Sequence, residues 1–155
     1  MCVERELKLD IGCGKKIEIM RKDGFVGVDA HDFGQRYVLD IREGLPFEDS
    51  SIDEARAEHF LEHLTRDEAS AFMNEMWRVL KPDASFHIVV PYALDPKSYG
   101  FSHRSFWTVE SFRDLGYPDY WTIYGLRRWK LIKGVLNKRG DVHAFLEPLD
   151  KSGGV

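Results

Sequence analysis

Apolar residues in this chain come in short bursts rather than long runs. Residues 7–11 (LKLDI), 25–29 (FVGVD), 37–41 (YVLDI) and 86–90 (FHIVV) are the clearest. Apolar segments of this length, bounded by turn residues, read as strands buried in a sheet. The first stops at Gly12, where the chain turns. Only residues 15–23 lie between it and the second strand, room for about two turns of crossover helix. The stretch before the third strand is too short for a full helix. Residues 51–58 (SIDEARAE) pull the other way, since Ala, Glu and Arg favour helix. Only their second half is assigned to a strand, on a resemblance described below.

Thr65 and Glu68 stand three apart, the spacing of a capping box. Ala69, Phe72, Met73, Met76 and Leu80 then repeat at helical spacing, and Pro82 ends that helix. Beyond Pro91, residues 92–107 are aromatic and polar and read as a loop. Thr108 is an N-cap for residues 108–115, with Ser111 where a full capping box would have Glu or Gln. Residues 129–136 and 142–149 flank Asn137-Lys138-Arg139-Gly140 and read as an antiparallel hairpin. Strands joined by helices predict an α/β fold with a mostly parallel sheet.

Length adds one constraint: 155 residues make one domain, spanning 1–155. No apolar run approaches the roughly 18 residues of a membrane helix, and the N-terminus lacks an apolar signal core. The two cysteines, Cys2 and Cys13, have no metal-ligand spacing. They suit a reduced cytoplasmic protein without disulfides, and no metal is expected. A net charge of −4 argues against nucleic acid as the main partner. Arg127, Arg128, Lys130, Lys133, Lys138 and Arg139 nevertheless form a stretch without acids. It is either a solvated strand face or an attractor for a phosphorylated, carboxylated or lipid-like acceptor.

The chemistry concentrates at strand ends. Leu9-Asp10-Ile11-Gly12-Cys13-Gly14 closes the first strand. Glycines there allow a sharp turn and close approach of backbone to ligand. A dinucleotide loop would have a third glycine at position 17, which is Ile17. Asp10 would repel a pyrophosphate and attract an ammonium or sulfonium group. Asp29 ends the second strand, where an acid can accept both hydroxyls of a ribose. Asp40 ends the third, placed to accept from an adenine amine, with Ile41 packing on the ring. Three carboxylates thus converge on one edge of the sheet.

The segments LDIGCG, GVD, LDIREGLPFEDSSIDEARAEHFLEHL and MWRVLKPDASFHIVVPY resemble the class I S-adenosylmethionine-dependent methyltransferases, especially the small type-11-like group. The resemblance runs through roughly residues 7–92, with LPFEDSSID and EHFLEHL its most specific parts. His103 to Phe112 is similar to the loop and helix after the fifth strand of such proteins. The resemblance implies a Rossmann-like, mostly parallel sheet with a C-terminal antiparallel hairpin and a reduced helix complement. It implies S-adenosylmethionine as cofactor, with Asp10, Gly12 and Gly14 at its methionine end. Asp29 would hold the ribose, Asp40 and Ile41 would flank the adenine, and Glu58 and His59 would lie near the methionine portion or the acceptor.

Three positions depart from the family pattern. Lys16 replaces the third motif glycine, the helix between the second and third strands is missing, and Lys81-Pro82-Asp83-Ala84 replaces the usual KPGG turn. The missing helix leaves sheet uncovered, so a second copy of the chain is expected to cover part of it. An acceptor with an ionisable proton would need a base. Among His31, His59, His63, His87 and His103, the two catalytic candidates are His59, after the fourth strand, and His103, in the aromatic loop. His87, inside an apolar strand, reads as structural. Tyr92, Tyr99, Phe101, Phe106 and Trp107 suit either an acceptor pocket or cover for the sheet. The acceptor itself, whether small molecule, glycan or protein, is open. The alternative is a non-catalytic S-adenosylmethionine-binding or regulatory module on the same fold.

Overall fold

A computed structural model describes residues 5–151. Cys2 and the Ser-Gly-Gly tail lie outside the described residues. Seven strands among the described residues form one sheet: β1 (Lys8–Ile11), β2 (Phe25–Asp29), β3 (Tyr37–Val38), β4 (Ile52–Glu58), β5 (Leu80–Pro91), β6 (Trp129–Leu136) and β7 (Asp141–Pro148). Their order across the sheet is β3-β2-β1-β4-β5-β7-β6. The first five run parallel, and β7 lies antiparallel to both β5 and β6. This is the Rossmann-like sheet with a C-terminal hairpin. Its strand order reverses beside β1, where consecutive crossovers leave in opposite directions and open a crevice.

Among the described residues four α-helices accompany the sheet: α1 (Ile17–Lys22), α2 (Arg66–Val79), α3 (Val109–Arg113) and α4 (Tyr120–Tyr124). Only α2 is long. Its capping box is complete: Thr65 N donates to Glu68 Oε2 at 2.8 Å, and Glu68 N donates to Thr65 Oγ1 at 3.2 Å. Ala69, Phe72, Met73, Met76 and Val79 fall on its buried face. Phe72 meets Phe86 of β5 edge to face at 6.1 Å, and Phe86 lies 5.7 Å from Trp129 of β6. One aromatic series therefore joins α2 to the hairpin. Each large side chain so buried contributes about 1.5–3 kcal/mol. No helix among the described residues is long and apolar enough to cross a membrane.

The structure corrects several boundaries. Residues 52–58 are strand throughout, because β1 and β5 flank them and their backbone bonds outweigh helical propensity. The third strand is only Tyr37–Val38. Asp40 turns away to cap a 3-10 turn over Ile41–Glu43, accepting from Arg42 N at 3.0 Å. Strand β5 begins at Leu80, before Pro82, with a register break between its pairings to Ile52 and Glu54. Asp83, where a glycine was expected, sits at φ 62°, a conformation aspartate tolerates better than most residues. Ser111 completes a capping box after all, since Thr108 N donates to its Oγ at 3.1 Å. Helix α4 was not anticipated; Gly125 ends it in the left-handed region.

Candidate functional site

The crevice beside β1 is built from the loop 12–14, the ends of β2 and β3, and the segment after β4. Gly12 N and Cys13 N both donate to Val28 O, at 2.8 and 3.3 Å, tying the loop to β2. Gly12 has φ 67°, and a Cβ there would lie 2.4 Å from the Phe60 ring. Gly14 has φ 55°, and a Cβ there would meet nothing within 4 Å. The first glycine admits Phe60; the second keeps the cleft empty.

Asp29 organises the loop. Its Oδ2 accepts from Gly14 N at 3.0 Å and its Oδ1 from His31 N at 3.0 Å. Each oxygen keeps a further lone pair for a ligand hydroxyl. The cleft, about 450 Å³, is lined by Gly12, Gly14, Asp29, Asp40, Ile41 and His59, with Phe60, His63 and Leu64 on the β4 side. That volume suits a nucleoside-sized ligand. Six of the nine expected site residues thus share one wall-to-wall cavity.

The other three are placed elsewhere. Asp10 is buried, and its Oδ2 lies 2.8 Å from Arg56 Nε. Burial pushes its carboxyl above the ordinary value despite that guanidinium. Glu58 Oε2 pairs with Lys16 Nζ at 2.9 Å. Burial resists its ionisation, but the Lys16 bond and charge prevail and hold its carboxyl below the usual range. Lys16, which departs from the family glycine, therefore has a partner 42 residues away. His103 lies in the loop after β5, its Nδ1 2.9 Å from Ser98 O.

His59 has φ 52° and its N donates to Val89 O at 2.8 Å, which aims the ring at the cleft mouth. Its Nδ1 is 3.4 Å from Glu62 Oε1. The Glu62 contact raises its pKa above the ordinary histidine value. His87 is held inside the sheet, stacked on Phe145 at 4.1 Å. Of the loop aromatics, Trp107 is buried and stacks on Phe112, and Tyr92 packs against the core. Tyr99, Phe101 and Phe106 are exposed. The basic stretch is mixed: Arg127 lies 3.9 Å over Trp121, Arg128 bonds Gly116 O, and Lys130 and Lys133 are solvated.

Sequence reasoning missed Phe60, which fills the space beside Gly12, and Arg42, which holds Asp40. The segment EHFLEHL was the available signal for Phe60. Arg42 carried none, being an exposed arginine after a strand.

Comparison with known proteins identifies the family and the fold. A family model described as "Methyltransferase domain" matches residues 9–88, just over half of the chain. No curated protein is matched significantly by sequence. Many solved structures share the fold, among them the following three. A SAM-dependent methyltransferase from Archaeoglobus fulgidus is 16% identical, with TM-score 0.68 over 93% of this chain and 86% of that one. One from Aquifex aeolicus is 12% identical, with TM-score 0.66 over 93% and 82%. One from Methanosarcina mazei is 19% identical, with TM-score 0.58 over 96% and 94%.

Proposed function

Since the chain belongs to the methyltransferase-domain family, with S-adenosylmethionine as the cofactor of its group, we propose that it transfers a methyl group to an acceptor entering beside His59. The single observation that carries this is the 450 Å³ cleft with Gly14 open beneath it and Asp29 at its floor. A cofactor so held supplies a sulfonium-activated methyl group. The chain's own residues do the rest. Asp29 would take the ribose hydroxyls, Gly12 and Gly14 would let the backbone approach, and Ile41 would pack on the adenine with Asp40 near its amine. Asp10 and Glu58 act from behind, by fixing β4 and the loop through Arg56 and Lys16. His59, oriented by Glu62, would accept the acceptor's proton where the acceptor has one to lose. Alignment of the acceptor and exclusion of water supply the remainder.

His59 rather than His103 has this role in our reading, because His59 lines the cleft. A buried free thiol at Cys13 fits a reducing, cytoplasmic setting. Exposed Ile19 and Val38, beside the stretch without a helix, are where a second copy would sit; sedimentation equilibrium reads that directly. The domain is taken as one unit over 1–155.

Calorimetry with S-adenosylmethionine is the decisive test. Micromolar binding, lost in Asp29→Ala while circular dichroism stays unchanged, supports the site. No binding by folded wild-type protein refutes it. Binding without release of S-adenosylhomocysteine across a broad acceptor panel would favour a regulatory module on this fold.

A further inference from the structure

Glu62, His63 and His103 form a cluster that core packing does not explain. A carboxylate oxygen of Glu62 and a ring nitrogen of each histidine lie within 4.8 Å of one another. Glu62 is 2% exposed, and its Oε2 has no hydrogen-bond partner among the described residues. Its other oxygen is the one facing His59. Burying a carboxylate oxygen without a partner forfeits hydration for nothing in return. The site therefore holds a buried carboxyl oxygen with no partner of its own.

The two histidines are held alike. His63 Nδ1 is 3.2 Å from Ser102 O, and His103 Nδ1 is 2.9 Å from Ser98 O. A carbonyl oxygen can only accept, so in both contacts Nδ1 carries the hydrogen, which leaves Nε2 as the nitrogen that can ligate. Metal-binding histidines are oriented in this way, with the far nitrogen donating to a carbonyl that fixes tautomer and ring. The rings meet edge to face at 5.0 Å. Backbone bonds pin the two contributing segments together. Arg104 N and Ser105 N both donate to Glu62 O, at 2.7 and 3.2 Å, and Ser105 Oγ donates to Leu61 O at 3.2 Å. The two segments that carry the cluster are thus held together mainly through backbone groups.

We propose that Glu62, His63 and His103 bind a divalent metal ion of the zinc class. Two imidazoles with one carboxylate suit zinc and its first-row neighbours, whereas magnesium and calcium prefer oxygen ligands. Three protein ligands leave a coordination position open to water or to an oxygen of a bound molecule. His63 also lines the cleft, so the ion would border the space that cofactor and acceptor share. That placement rests on the proposed function; the binding of the ion does not. No ligand spacing announces this trio in the sequence, because 40 residues and a whole strand separate His63 from His103.

The test is calorimetric titration of Zn²⁺ into chelator-stripped full-length protein without S-adenosylmethionine. Wild type takes up one equivalent with micromolar affinity or better. His63→Ala and His103→Ala each weaken it by at least about tenfold, the loss that even an outer-shell partner produces. Glu62→Gln does the same, and the two histidine variants carry the test where that buried substitution unfolds the chain. Absence of stoichiometric binding to wild type overturns the assignment. So does unchanged affinity in both histidine variants, or tighter binding of Mg²⁺ than of Zn²⁺. Because the readout is metal uptake alone, its failure leaves the methyl-transfer reading standing, and failure of cofactor binding leaves this one standing.

Discussion

Arg42 grips the carboxylate of Asp40 at the lip of the cleft, with Nε 2.9 Å from Oδ1 and Nη2 2.5 Å from Oδ2. Those bonds hold the Asp40 carboxyl below its ordinary value. They also occupy the oxygens that an adenine amine would use. The pair faces solvent, and an exposed ion pair carries little net energy because water competes for both partners. Arg42→Ala therefore strengthens S-adenosylmethionine binding by no more than about fivefold. Calorimetry decides: a large loss of affinity would show that Arg42 contacts the cofactor rather than competing with it.

The two cleft glycines separate stability from binding. Gly12→Ala combines left-handed strain with overlap on Phe60 and costs about 3 kcal/mol. Gly14→Ala carries only the strain, about 1–2 kcal/mol, yet puts a methyl group into the open cleft. Chemical denaturation paired with calorimetry should find Gly12→Ala the less stable variant. Gly14→Ala should stay folded and bind cofactor poorly. Equal binding by Gly14→Ala and wild type would remove the loop from the site.

Arg56 neutralises Asp10 inside the sheet and also covers the Phe25 ring at 4.1 Å. Arg56→Met leaves a buried carboxylate unpaired and costs about 3 kcal/mol at neutral pH. The sign of the pH dependence follows from Asp10. Its folded pKa already lies above the unfolded value, and losing Arg56 raises it further. Protonation then favours the folded state, so the deficit shrinks as pH falls toward 4. Asp10→Asn added to Arg56→Met recovers most of the loss. A deficit independent of pH would assign the effect to packing on Phe25 instead.

Burial pushes the Cys13 thiol up to about 11, with Asp29 and Asp10 adding to the effect. The unfolded chain ionises first as pH rises, so this group favours folding below about pH 9 and that contribution fades between roughly 9 and 11. Cys13→Ala should flatten the wild-type loss of stability over that window. Peptide-level alkylation at pH 8 should leave Cys13 unlabelled in folded protein and labelled in urea. Rapid labelling of the folded protein would contradict the closed loop.

What could be read in advance was local. β2 and the capping box of α2 follow from short-range patterning, and Asp29 follows from its place at a strand end. β4 could not be read from SIDEARAE, because the order comes from neighbours 46 and about 30 residues away. The Arg56 bond to Asp10, the Lys16 bond to Glu58 and the burial of Glu62 are all long-range pairings, and single-sequence patterns carry none of them. α4 has five residues, too few to show a helical period. Leu39 and Asp40 read as strand until the side chain of Asp40 is seen capping its own turn.

The two edges of the sheet are unequal and both are blunt. On one side β3 offers only Tyr37–Val38. On the other, β6 is interrupted by a register break between Leu131 and Lys133 and bears exposed Lys130 and Lys133. A short edge, a bulge and protruding charge each deny an incoming strand a template. A sheet of seven strands with long open edges would otherwise invite pairing with further strands. The flank that carries no helix between β2 and β3 is also the flank whose edge is too short for such pairing to start.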